Sequence, residues 1–146
     1  PWGLLVLFGG GLSLAAQISS TGLGMWIGQS LMVLSTVPPI VLILAVATLI
    51  IFLTEITSNV TTTTTFLPVF GALAVAIGIL PVSLTVPVCL AASCAFMLPV
   101  ATPPNAIVYG SNKFTIATMM RAGIALNIIG IIVVTMFAYF LAPVIF

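Results

Sequence analysis

Thr54-Glu55-Ile56-Thr57-Ser58-Asn59-Val60-Thr61 and Val100-Ala101-Thr102-Pro103-Pro104-Asn105-Ala106 are two polar, helix-breaking islands in otherwise apolar sequence. A bilayer core holds no water to satisfy loose N–H and C=O groups. Irregular backbone survives at that depth only where protein covers it or where it lines a cavity. Two breaks in one short chain therefore suggest a solute site between broken helices.

Composition fixes the broad class around these islands. The chain is 62% hydrophobic, only 2% charged, and has a mean hydropathy of +1.48. Its fully charged side chains are Glu55, Lys113 and Arg121. A soluble domain carries about 25% charged residues, so this chain reads as an integral membrane protein. The small positive balance offers no basic patch for nucleic acid. With no His and no Asp, a Ser-His-Asp triad, an HExxH zinc site and an EF-hand loop are excluded. One carboxylate cannot supply the paired acids of a glycosidase. Gly9-Gly10-Gly11 lacks the GK[ST] of a P-loop, and Cys89 and Cys94 read as small core residues. An enzyme is not expected.

The pattern predicts an all-α, polytopic membrane fold in four parts. Residues 1–36 read as a half-span, Trp2 to Ala16, followed by an interfacial helix, Gly22 to Leu34. The opening Pro1-Trp2, without Met or basic leader, suggests the last part of a longer membrane protein. Residues 38–80 form two apolar arms around the first island. The first arm, Ile40 to Leu53, reaches only about 21 Å against a hydrocarbon core of about 30 Å. This favours a re-entrant hairpin; the alternative is two kinked spans with the tip in a loop. Residues 82–112 read as a broken transmembrane helix, with Val82 to Leu98 stopping at Pro99 and a short piece resuming at Ala106. Residues 115–146 carry the last span, Met120 to Phe146. Lys113 and Arg121, both in the connection before it, place that connection in the cytoplasm.

The chemistry lies in the islands. Ser58-Asn59 stand where an N-cap is expected, and a helix N-terminus with its unpaired N–H groups suits a carboxylate or phosphate. The arm ending near Leu53 leaves unpaired carbonyls, which suit Na⁺ or another hard cation. Val100-Ala101 and Asn105 repeat the arrangement. The run Thr61 to Thr65 also reads as packing glue within helices. Glu55, an ionisable residue inside the membrane, is a candidate transport residue, an interfacial residue, or a neutral, hydrogen-bonded one.

At these residues, Thr-Glu-Ile-Thr-Ser-Asn-Val-Thr-Thr-Thr at 54–63 and Phe-Met-Leu-Pro-Val-Ala-Thr-Pro-Pro-Asn-Ala at 96–106, the chain resembles the divalent anion/sodium symporters. That family includes sodium-coupled dicarboxylate, citrate and sulfate transporters. The resemblance covers nearly the whole chain and corresponds to the C-terminal inverted repeat. It implies a Ser-Asn-Thr signature at each of two hairpin tips. Ser58 and Asn59 match the second signature, and Val60 stands where its Thr would be. It further implies substrate contacts at Ser58, Asn59, Val60, Thr102 and Pro103. Sodium ligands are implied at Thr54, Thr57, Asn59 and Ala101, by backbone carbonyls except for the Asn59 side-chain oxygen. The partners implied are a small carboxylate anion, Na⁺ as coupling ion, the lipid bilayer, and a second copy through a scaffold. A prokaryotic inner membrane is the expected location.

Three function classes follow. A sodium-coupled symporter of a di- or tricarboxylate, with succinate favoured and sulfate behind, is first. An anion channel or exchanger on a similar fold is second; its pore would need a polar face along a whole helix. A structural subunit is third and would not need two paired breaks.

Overall fold

The computed structural model describes residues 37–145, together with Ser13, Gln17, Ser20 and Thr21. The expected half-span and interfacial helix of 1–36 thus lie almost wholly outside the described residues. Among the described residues the elements are α-helices: α1 (Pro39–Thr54), α2 (Asn59–Ala76), α3 (Val82–Ala92), α4 (Pro103–Gly110), α5 (Ile116–Phe140) and α6 (Ala142–Ile145). The described residues are all-α, as the sequence pattern predicted.

Helix α1 starts on Pro39, where the missing N–H costs nothing because no intrahelical partner exists there. It buries Leu42, Ile43, Val46, Ala47, Ile50, Ile51 and Thr54, a stripe at helical spacing. The opposite face exposes Val41, Leu44, Leu49 and Phe52. Both faces are apolar, so periodicity could not reveal which one packs inward. Helix α2, at 18 residues, is long and apolar enough to cross a membrane, as is the 25-residue α5. The argument from short arms therefore holds for α1 and not for α2.

The turn after α2 is set by one residue. Gly78 adopts φ +77°, a left-handed conformation that costs a residue without Cβ little. Its N–H reaches Val75 O and the Ile79 N–H reaches Ala74 O, the paired bonds of a Schellman cap. The chain then reverses into α3. The arms α1 and α2 touch each other little; each packs chiefly on α3, which lies between them, while α5 packs on α1 and α3. The core gathers Ile43, Ile50, Ile51, Leu84 and Val88 from α1 and α3 with Ile131 and Val134 from α5.

Four expectations about helix ends need correction. Helix α3 stops at Ala92, not Leu98, because the backbone N–H groups of 96–98 are drawn off to the Glu55 carboxylate. Helix α4 begins at Pro103 rather than Ala106. Pro103 and Pro104 open this helix, since the first-turn positions tolerate a missing N–H. Helix α5 begins at Ile116, where the Thr115 hydroxyl accepts the Thr118 N–H, so Arg121 lies inside it on an exposed face rather than in the connection. It ends at Phe140, and α6 is separate.

Helix α5 lies against the 93–98 loop at backbone distance. A Cβ on Gly123 would stand 2.5 Å from Met97 Cα and 2.5 Å from Phe96 O. Neither atom can swing aside as a side chain would. At Gly130 the nearest atom to such a Cβ is Cys94 Sγ at 3.6 Å, an ordinary contact. Gly123→Ala should therefore destabilise the protein by about 1–3 kcal/mol, as overpacking does, while Gly130→Ala stays near neutral. Thermal unfolding of the two variants in detergent checks this; equal melting temperatures would contradict the close approach.

Candidate functional site

The first island folds into a tip between α1 and α2, stitched by its own side chains. Ser58 caps α2, its hydroxyl accepting the Thr61 N–H at 3.1 Å. The Thr57 hydroxyl donates to Leu53 O at 2.9 Å. Its single proton is thus used, so the Thr62 hydroxyl donates in the 2.6 Å contact between the two. The Thr54 hydroxyl faces both Asn59 Oδ1 at 2.8 Å and Ala92 O at 2.9 Å, one proton between two acceptors. This contact ties the tip to the end of α3.

Glu55 is the centre of the arrangement and is only 3% exposed. Its Oε1 accepts the N–H of Phe96 at 2.8 Å and of Met97 at 3.0 Å. Its Oε2 accepts from Met97 at 3.1 Å and from Leu98 at 3.0 Å. The Nδ2 of Asn127, on α5, donates to Oε1 at 2.8 Å. Three successive N–H groups converging on an anion form a nest. Bonds to a charged acceptor are about twice as strong as neutral ones. The carboxylate thus replaces the carbonyls that a continuing α3 would have offered. Of the readings open for Glu55, the geometry supports a buried, hydrogen-bonded role, and its oxygens are saturated by the protein itself. Asn127 is fully buried, and among the described residues its Oδ1 has no partner.

The second island meets the first across one cleft of about 650 Å³, lined by Ser58, Asn59 and Val60 from the tip and by Ala101, Thr102, Pro103 and Asn105 from the break. The residues expected to touch substrate are thus brought together, with Ala101 among them. Thr54 and Thr57 are not part of that lining. The two helix starts are not equivalent. At α2 the N–H groups of Asn59 and Val60 have no acceptor among the described residues. At α4 the first two positions are prolines and the Asn105 N–H is taken by the Thr102 hydroxyl at 3.3 Å. Helix α4 thus brings the positive end of its dipole but no free backbone donor, unlike the repeat of the first island's arrangement that the sequence suggested.

The carbonyls also sort themselves. Leu53 O, expected to be free, accepts the N–H groups of Ile56 and Thr57 and the Thr57 hydroxyl. Among the described residues, the carbonyls of Thr54, Thr57 and Ala101 accept none. For Ala101 the cause is local, because Pro104, three residues on, has no N–H, and the Asn105 N–H, four on, goes to the Thr102 hydroxyl. The role of Asn127 was not legible beforehand; one Asn in a long apolar span was the only signal.

Glu55→Gln turns one acceptor into a donor facing N–H groups. It should unfold the 93–98 segment and cost several kcal/mol, at about 1.5–3 kcal/mol for each bond to a charged group. Asn127→Leu should cost less, since it removes the unpartnered Oδ1 along with the bonded Nδ2. Melting temperatures of the two variants test the order; a milder Glu55→Gln would show that the carboxylate does not organise the loop.

Residues 1–146 match the family described as sodium:sulfate symporter transmembrane region. The sodium-dependent dicarboxylate transporter SdcS of Staphylococcus saprophyticus is 48% identical over 143 residues, 98% of this chain and 28% of that protein. SdcS of Staphylococcus aureus strain MRSA252 is 46% identical over 145 residues, 99% of this chain and 28% of that protein. The chain thus spans 28% of the length of these curated relatives. A match across every residue, with two islands meeting in one cleft, leaves one conclusion: this chain belongs to the sodium:sulfate symporter transmembrane family.

Proposed function

We propose that this chain supplies one half of the binding site of a sodium-coupled symporter that carries a C4-dicarboxylate across a bacterial plasma membrane by alternating access. The observation that carries the reading is the convergence of α2 and α4 starts on one cleft. A helix start attracts an anion by its dipole and its unpaired N–H groups. The N–H groups of Asn59 and Val60 and the Ser58 hydroxyl would bind one carboxylate, with Thr102 and Pro103 bordering it. Val60 acts through its backbone alone, so a hydroxyl in its place is not required.

The carbonyls of Thr54, Thr57 and Ala101, with Asn59 Oδ1, are a neutral oxygen set that suits Na⁺. Asn59 would join the two ligands, its backbone turned to the anion and its side-chain oxygen to the cation. Neutral donors hold each ion loosely, and each ion offsets the other's charge, so both can leave again. Among the described residues, neither Lys113 nor Arg121 lines the cleft, so no fixed cation traps the anion. The rest of the pocket, a further Na⁺ site and a dimer-forming scaffold would come from the remainder of a full-length transporter. The relatives' name favours a dicarboxylate, with succinate first; the family description keeps sulfate as the second reading.

Labelled succinate uptake by the full-length transporter containing this chain, in proteoliposomes with and without a Na⁺ gradient, tests the proposal. Uptake should require Na⁺ and fall at least tenfold in Asn59→Ala. Uptake indifferent to Na⁺ would remove the coupling. Sulfate outcompeting succinate would transfer the site to the second reading.

A further inference from the structure

The side chain of Asn105 lines the cleft yet has no donor to offer it. Its Nδ2 donates to Ala95 O at 3.0 Å and to Leu98 O at 3.0 Å. Both amide protons are therefore committed, and the two carbonyl partners fix which way the amide is turned. Its backbone N–H is held by the Thr102 hydroxyl. What remains is Oδ1, an acceptor with no donor among the described residues.

The position is rigid because the loop beneath it is gripped on both sides. Glu55 holds the N–H groups of Phe96, Met97 and Leu98, and Asn105 holds the carbonyls of Ala95 and Leu98. An acceptor held in place repels a carboxylate oxygen and attracts a hydroxyl. A site built to hydrogen-bond an OH rejects an analogue that lacks it more strongly than an apolar pocket rejects an added OH.

We infer that Asn105 is a specificity-determining residue whose Oδ1 accepts a hydrogen bond from the 2-hydroxyl of a bound dicarboxylate, so that the cleft favours a 2-hydroxyl over a 2-methyl substituent on a C4 acid. This rests on the dicarboxylate reading of the cleft above. The donors at the α2 start take a carboxylate; Asn105, across the cleft, takes the hydroxyl next to it.

The test uses the full-length transporter in proteoliposomes, with Na⁺-driven uptake of labelled succinate as the readout. L-malate and 2-methylsuccinate compete; they differ by OH against CH₃ at one carbon. In the wild type, malate should inhibit at about fivefold lower concentration, the value of one neutral hydrogen bond. Asn105→Ala should bring the two competitors to parity. A merely structural role would weaken both competitors alike and leave their ratio unchanged in Asn105→Ala. Parity in the wild type, or an unchanged ratio in Asn105→Ala, overturns the inference, and the wild-type comparison needs no variant. A shift in Na⁺ half-saturation with the ratio intact would also overturn it, by assigning Oδ1 to a cation. Absence of Na⁺-driven succinate uptake in the wild type would instead overturn the transport reading itself.

Discussion

One carboxylate organises this structure. Glu55 lies buried in a body almost empty of charge, with three backbone N–H groups and the Asn127 amide directed at its oxygens. An isolated charge in such surroundings would be prohibitively costly, so the surroundings supply donors. The nearest available donors are those of a helix that has been stopped. The end of α3 at Ala92, the open loop after it and the close passage of α5 at Gly123 all follow from that requirement.

The break in turn creates the cleft. A continuous α3 would carry its N–H groups and carbonyls inward, bonded to one another. Stopped, it exposes both sets, and they are divided. The N–H side goes to Glu55, and part of the carbonyl side goes to Asn105. Ala101 O is left without a donor because Pro104 has no N–H and the Asn105 N–H goes to the Thr102 hydroxyl. Prolines that read first as a barrier to helix formation are the device that opens α4 while leaving oxygens free. Side chains of the protein satisfy most of this irregular backbone and a cavity receives the rest, the condition under which a bilayer tolerates it.

In the proposed reading, the cleft binds an anion without a cationic side chain. The partial charges at two helix starts act at short range, and the low-dielectric surroundings magnify them. Only α2 adds free N–H donors to its dipole; α4 adds shape and field. On that reading the asymmetry divides labour between a side that binds and a side that borders, and Asn105 lines the bordering side.

The membrane class of the protein and the two islands that meet in the cleft were legible in the sequence alone. A chain with 2% charged residues has one physical option, and two polar islands in apolar surroundings have to be covered or functional. Ser58 as a cap was equally legible, because the bond it makes is local, three residues along the chain. The buried face of α1, the early end of α3 and the partner of Glu55 were decided by tertiary structure. Helix α1 is apolar on every side, so no periodicity marks its inner face. The bonds that end α3 reach across 41 to 43 residues, and the Asn127 bond across 72. Contacts that distant leave no trace in local spacing; only packing three helices against one loop brings their donors to one carboxylate.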